Sequence, residues 1–151
     1  MSRRTYRAST FIAAPLSDVF AFFSDPANLG RITPPEMRFH ITNAPAGPLH
    51  AGDRIDYSIR IFGLPMRWTT LIDSWTDNAS FSDLQERGPY RYWRHVHTFR
   101  AVDGGVQMED EVEYELPLGT IGQLFAGWIV KREVEKIFAY RGKVIRQVFG
   151  S

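Results

Sequence analysis

Apolar and polar residues alternate with a period of two through most of the chain and with a period near 3.6 at its end. The segment 53–62 shows the first period most clearly. Ile55, Tyr57, Ile59 and Ile61 share one face, and Arg54, Asp56, Ser58 and Arg60 share the other. Segments 3–12, 36–42, 66–75, 79–86, 93–99 and 107–115 also read as strands, with Trp68, Thr70 and Ile72 facing inward on the fourth. Turn residues separate them: Gly63-Leu64-Pro65, Thr76-Asp77-Asn78, Gly88-Pro89 and Asp103-Gly104. After the first strand, Ser17 is placed as the N-cap of a short helix carrying Val19, Phe20, Phe22 and Phe23, and Asp25-Pro26 stops it. A second short helical piece spans 28–32 and runs into Thr33-Pro34-Pro35.

From residue 120 to about 149 the apolar positions recur every three or four residues: Val130, Val134, Ile137, Phe138, Val144, Ile145 and Val148. Arg141 falls inside this stripe, whereas Arg132, Glu135 and Lys143 lie off it. The order is therefore one strand, two short helices, six strands and one long helix, in a single domain spanning 1–151. The class is α+β, an antiparallel sheet of about seven strands whose apolar face needs a cover. The long helix is the element able to supply it.

Composition narrows the function. Aromatics reach 14%, and many of them fall on the inferred inner faces, where rings can wall a cavity. A net charge of +1 with scattered basic residues speaks against a nucleic-acid partner. The chain has no cysteine, so disulfides, thiol catalysis and thiolate metal sites are excluded. Neither a secretory leader nor an apolar run of membrane-spanning length stands out, and the expectation is a cytoplasmic protein without an integral membrane segment. Asn78-Ala79-Ser80 fits a glycosylation sequon but reads as a turn.

The candidate chemistry lies on the last hairpin. Gln107, Glu109, Glu111, Glu113 and Glu115 share a face that must be solvated, which turns Met108, Asp110, Val112 and Tyr114 inward. With Asp103-Gly104 at the tip, Val102 pairs with Gly105. His97 then lies opposite Asp110, His95 opposite Val112, Trp93 opposite Tyr114 and Phe99 opposite Met108. The face of Phe81, Asp83 and Gln85 also points inward and brings Asp83 beside His95. Two His–Asp pairs are predicted, Asp83 with His95 and Asp110 with His97.

Such pairs have three readings. They satisfy each other structurally, or they line a ligand cavity, or they perform general acid–base catalysis with His97 and Asp110 as the couple. His-x-His with a nearby aspartate also has metal-ligand residue types, but without a third-histidine pattern no metal is expected. Arg141 reads either as a snorkelling side chain or as a cation facing the cavity. Leu118, Ile121, Leu124, Phe125 and Trp128 are apolar groups near the start of the long helix. They read first as core, with a homodimer contact, a cavity entrance or a membrane-touching tip as other uses.

The order of elements resembles the helix-grip fold of the SRPBCC superfamily (START-like and pollen-allergen-like proteins) over essentially the whole chain. Several motifs look like its bacterial polyketide cyclase/dehydrase-like branch: Ala14-Pro15 followed by Val19-Phe20 and Phe22-Phe23; Ile32-Thr33-Pro34-Pro35; Phe81-Ser82-Asp83-Leu84-Gln85; Gly88-Pro89-Tyr90; and Trp93 through His95, His97 and Phe99. The resemblance implies a curved sheet wrapped around the long helix and a cavity between them. It implies a largely apolar guest with a few oxygens, lipid-, isoprenoid- or polyketide-like, and no cofactor. Tyr57, Trp68, Asp83, Gln85, Trp93, His95, Phe99, Tyr114 and Arg141 are the expected ligand-binding residues. A cofactor-independent cyclase or dehydratase using His97 and Asp110 is the alternative, since fold alone does not choose between carriage and catalysis.

Overall fold

The computed structural model describes residues 3–61, 63–116 and 120–150, and the side chains of 120–126 lie outside that description. Seven strands form one antiparallel sheet in the order β1-β7-β6-β5-β4-β3-β2. They are β1 (Arg4–Ile12), β2 (His40–Asn43), β3 (Arg54–Ile61), β4 (Leu64–Thr76), β5 (Ser80–Arg87), β6 (Tyr92–Val102) and β7 (Gly105–Glu115). Helix α1 (Leu16–Ser24) and three single 3-10 turns separate β1 from β2, and α2 (Thr120–Phe149) follows β7.

The sheet is curved, and its sequence shows why. β4 is 13 residues long, and its ladder with β5 is broken twice, by an extra residue of β5 (Glu86) opposite Thr69–Thr70 and by an extra residue of β4 (Asp73) between Ile72 and Ser74. Each extra residue bends the strand and strengthens its twist. The concave face so formed holds the alternate apolar positions, and α2 lies against it. Val144 and Ile145 of α2 pack with Ile12, Phe81, Phe99, Val106 and Met108, joined by Phe20, Phe22 and Phe23 from α1. Val130 and Val134 pack with Val112, Tyr114 and Leu116. Each fully buried aliphatic or aromatic side chain stabilises by about 1.5–3 kcal/mol relative to exposure. The Gly105 backbone lies so close to the Ile12 carbonyl that a Cβ there would collide with it, which ties the β6–β7 turn to the end of β1.

Several assignments differ from the sequence expectation; β4, β6 and β7 also extend beyond their expected ends. Helix α1 begins at Leu16 with Pro15 as its N-cap, not Ser17, because Pro15 is already fixed in an extended conformation and its carbonyl accepts from Asp18 and Val19. β2 starts at His40 rather than at 36. Pro35–Met37 forms a 3-10 turn, and Arg38 takes a left-handed conformation (φ 49°) that breaks the strand. β5 starts one residue late, after Asn78 turns at φ 57°. Glu115, assigned to the solvated face, is buried instead, because Arg3 and Arg91 close over its carboxylate at 3.7 and 3.5 Å.

The apolar start of α2 falls partly outside the described residues, which exclude Leu118 and the side chains of Ile121, Leu124 and Phe125. Trp128 is described, and it is exposed with Arg132 over its ring. No helix among the described residues is long and apolar enough to cross a membrane.

Candidate functional site

The inner faces of β5, β6 and β7 bring Asp83, His95, His97 and Asp110 together beneath α2. Backbone register places Asp83 opposite His95 and His97 opposite Asp110, as the hairpin and strand faces predict. The side chains pair along the diagonals. His95 Nε2 meets Asp110 Oδ1 at 2.8 Å, and His97 Nε2 meets Asp83 Oδ2 at 2.8 Å. The Asp83–His95 pairing is thus corrected. His97 keeps a contact of 3.3 Å to Asp110 through Nδ1, but its shorter bond is to Asp83. Sheet twist shears opposed side chains past each other, and an imidazole is long enough to reach the diagonal neighbour. The two imidazoles stack at 3.7 Å between centroids, and Phe81 stacks on the far side of His97 at 4.3 Å.

Arg141 closes the cluster from above. Its Nη2 lies 3.2 Å from Asp110 Oδ1, and its guanidinium sits 5.0 and 5.3 Å from the Phe23 and Phe138 rings. The side chain is buried and does not snorkel. One carboxylate oxygen, Asp110 Oδ1, therefore receives His95, His97 and Arg141, while Asp110 Oδ2 and Arg141 Nε are buried without a partner among the described residues.

These contacts set the protonation states. His97 has a carboxylate oxygen near each ring nitrogen, at 2.8 and 3.3 Å, which favours donation by both nitrogens and a cationic ring. Burial pulls its pKa down, but the hydrogen bonds to Asp110 and Asp83 outweigh it and hold it above the ordinary histidine value. The 3.4 Å approach of Arg141 Nη2 to His97 Nδ1 is then two donors converging on one acceptor. Burial, and next the repulsion of His97, push His95 below the ordinary value despite its bond to Asp110. A neutral His95 donates through Nε2 and leaves a lone pair on Nδ1. Burial would raise both carboxyls. Asp83 is held low by its bond from His97, and Asp110 is held well below the usual range by Arg141 and the two histidines. These directions favour ionised Asp83 and Asp110, a protonated His97 and a neutral His95.

This cluster forms one end of a cavity of about 180 Å³ between the sheet and α2. Ile55, Ile59, Ile61, Ile72, Val134, Ile137 and Phe138 supply most of its apolar wall. Of the residues predicted from sequence, Tyr57, Trp68, Asp83, Trp93, His95, His97 and Arg141 line it. Asp110, Gln85, Phe99 and Tyr114 do not. Asp110 sits behind the histidines with 1% of its side chain accessible. Gln85 bonds the backbone of Tyr90 through both its amide atoms. Phe99 belongs to the ring cluster with Phe20, Phe23 and Phe81, and Tyr114 packs against Tyr90 and Trp93. Burial pushes the Tyr57 phenol up, only partly opposed by a bond to Thr70, so it stays protonated.

Sequence reasoning missed Tyr90 and Glu133, which also line the cavity. Tyr90 stands in the Gly88-Pro89-Tyr90 turn, one of the motifs that resemble the family. Glu133 precedes Val134 on the helix and carries no periodic signal of its own. Asp83, His95 and His97 offer one ligating atom each within 4.8 Å of one another, a donor set of metal-binding type. A cation there would have to displace the proton that His97 shares with Asp83, in the field of Arg141. The arrangement favours a hydrogen-bonded network over a metal cage.

The sequence pattern described as polyketide cyclase / dehydrase and lipid transport matches residues 12–138. No curated protein matches the chain. Among solved structures, TTHA0849 from Thermus thermophilus superposes with a TM-score of 0.71 at 18% identity, covering 96% of this chain and 99% of the other. A START superfamily protein from Mycobacterium smegmatis gives a TM-score of 0.71 at 12% identity, over 95% and 98% of the two chains. The Zhui aromatase/cyclase from a Streptomyces species gives 0.67 at 16% identity, over 97% and 96%. At these identities the likeness establishes the helix-grip fold.

Proposed function

Because the chain belongs to the polyketide cyclase / dehydrase and lipid transport family, we propose that it binds a small, largely apolar ligand bearing a few oxygens between the sheet and α2. The observation that carries this reading is the cavity itself. Its walls are mainly aliphatic and aromatic, and four of its polar groups, Asp83, His95, His97 and Arg141, meet in one cluster. That is the usual division of labour in a small-molecule site: apolar surface supplies affinity, and a few placed polar groups supply orientation.

Two measurements test it. Native mass spectrometry of the purified protein should show a co-purifying lipid-, isoprenoid- or polyketide-like adduct. Titration with the neutral fluorophore N-phenyl-1-naphthylamine should show saturable binding that Ile137→Trp abolishes. Ile137 is half-buried on the cavity wall, so the larger ring fills the space at a cost of about 1–3 kcal/mol in stability. Unchanged binding in a folded Ile137→Trp protein would refute the cavity as the site.

A second reading, a cofactor-independent cyclase or dehydratase, draws support from one feature: two imidazoles stacked side by side on the cavity wall, with the pKa of His95 lowered and that of His97 raised. A neutral His95 has a lone pair on Nδ1 to serve as a base, and His97, to serve as the acid, would have to release a proton it shares with Asp83 or Asp110. Asp110 would orient both rings rather than touch the ligand, so His97→Gln would remove turnover of a cyclisable polyketone while Asp110→Asn would shift its pH profile.

A further inference from the structure

We infer that the cavity selects neutral ligands that donate a hydroxyl hydrogen at its polar end and rejects carboxylates of the same shape, with Asp83 as the selecting residue. The inference rests on the ligand-binding reading above and adds the chemical class of the guest.

Of the charged groups at that end, Asp83 is the most reachable. Its side chain keeps 21% of its accessibility, against 8% for His97, 7% for Arg141 and 1% for Asp110. His97 bonds Asp83 through Oδ2, which leaves Oδ1 without a partner among the described residues. An ionised oxygen bordering an apolar space is costly unless a donor meets it. A ligand hydroxyl is such a donor, and an O–H···O⁻ bond is among the stronger hydrogen bonds available.

The nearby cations do not offer an anion the same welcome. Both nitrogens of His97 are spent on Asp83 and Asp110. Arg141 directs Nη2 to Asp110 and lies against the Phe23 and Phe138 rings, and its Nε, unpartnered among the described residues, is buried out of reach of an entering ligand. An entering carboxylate would meet the exposed charge of Asp83 before either cation, in a site where like charges are poorly screened. The low pKa of Asp83, held down by its bond from His97 against the effect of burial, keeps that charge in place at neutral pH. Specificity of this kind comes from a repulsive element as much as from an attractive one.

The test uses three probes with one ring system: 2-naphthol, 2-methylnaphthalene and 2-naphthoate, each titrated at neutral pH against N-phenyl-1-naphthylamine on the wild-type protein. Transfer out of water alone would favour the methyl compound. The inference requires 2-naphthol to bind about 10-fold tighter than 2-methylnaphthalene, the gain of one hydrogen bond to a charged acceptor. 2-Naphthoate should bind weakest. In Asp83→Asn the order changes: 2-naphthoate gains about 10-fold or more, and 2-naphthol loses most of its advantage. Equal binding of 2-naphthol and 2-methylnaphthalene, or tighter binding of 2-naphthoate, overturns the inference and leaves ligand binding standing. Failure of all three probes and of the fluorophore overturns both. The wild-type series decides even if Asp83→Asn does not fold.

Discussion

Asp110→Asn preserves the size of the side chain and removes its charge, and the cost follows from what converges on that oxygen. Arg141 Nη2 lies 3.2 Å from Asp110 Oδ1. At an effective dielectric of about 20, a unit pair at that separation attracts by roughly 5 kcal/mol before desolvation is subtracted. Asp110 and Arg141 are both buried, so the substitution strands a cation that water cannot reach. Stranding one member of a buried pair costs about 3–5 kcal/mol. His97 relieves part of this by losing its proton, which holds the cost toward the lower figure. For a chain of this length, the loss corresponds to a fall in Tm of roughly 6–20 °C. Urea unfolding at neutral pH, followed by tryptophan fluorescence and far-ultraviolet circular dichroism, measures it. Arg141→Met completes a cycle. The double variant should be more stable than the sum of the two single losses by at least ~1 kcal/mol, since it removes the charge that Asp110→Asn leaves alone. A loss below ~1 kcal/mol for Asp110→Asn, or strict additivity in the cycle, would refute the account of Asp110 as the anchor of the cluster.

The remaining predictions concern pH and two backbone ties. His97 has a raised pKa, so its contribution to stability is complete below the unfolded value near 6.5 and is lost as pH rises through the folded one. His95 has a lowered pKa, so stability is lost as pH falls from about 6.5 through its folded value. Stability should therefore peak between these two limbs. His97→Gln should flatten the alkaline limb and His95→Gln the acid one; an unchanged profile in both variants would refute the assigned charge states. Gly105→Ala drives a Cβ into the Ile12 carbonyl and should cost about 1–3 kcal/mol in urea unfolding, whereas a neutral result would show that β1 and the β6–β7 turn move freely. Gln85→Ala removes both bonds to the Tyr90 backbone and should cost about 1–3 kcal/mol. It should also speed amide exchange at Tyr90, and retained protection there would show that the turn needs no such tie.

Much of the sheet was legible because its determinants are local. Two-residue alternation assigned Ile55, Tyr57, Ile59 and Ile61 to one face, and Asp103-Gly104 set a register in which His97 faces Asp110 and Trp93 faces Tyr114. The stripe from Val130 to Val148 marked α2 by its period alone. Which side chains then touch was decided in three dimensions. The diagonal bonds His95–Asp110 and His97–Asp83 depend on the twist of three strands, and period-two reasoning treats those strands as flat. Burial of Arg141 depends on how α2 docks, which placed the guanidinium over Asp110 instead of at the helix edge. Glu115 was misassigned because Arg3 and Arg91 reach it from the chain's beginning and from the turn before β6. The composition of the polar cluster was thus written in the strand pattern. Its pairing, its charge states and the exposure of Asp83 arose only from docking of twisted strands and a helix, since each depends on distances between residues far apart in sequence.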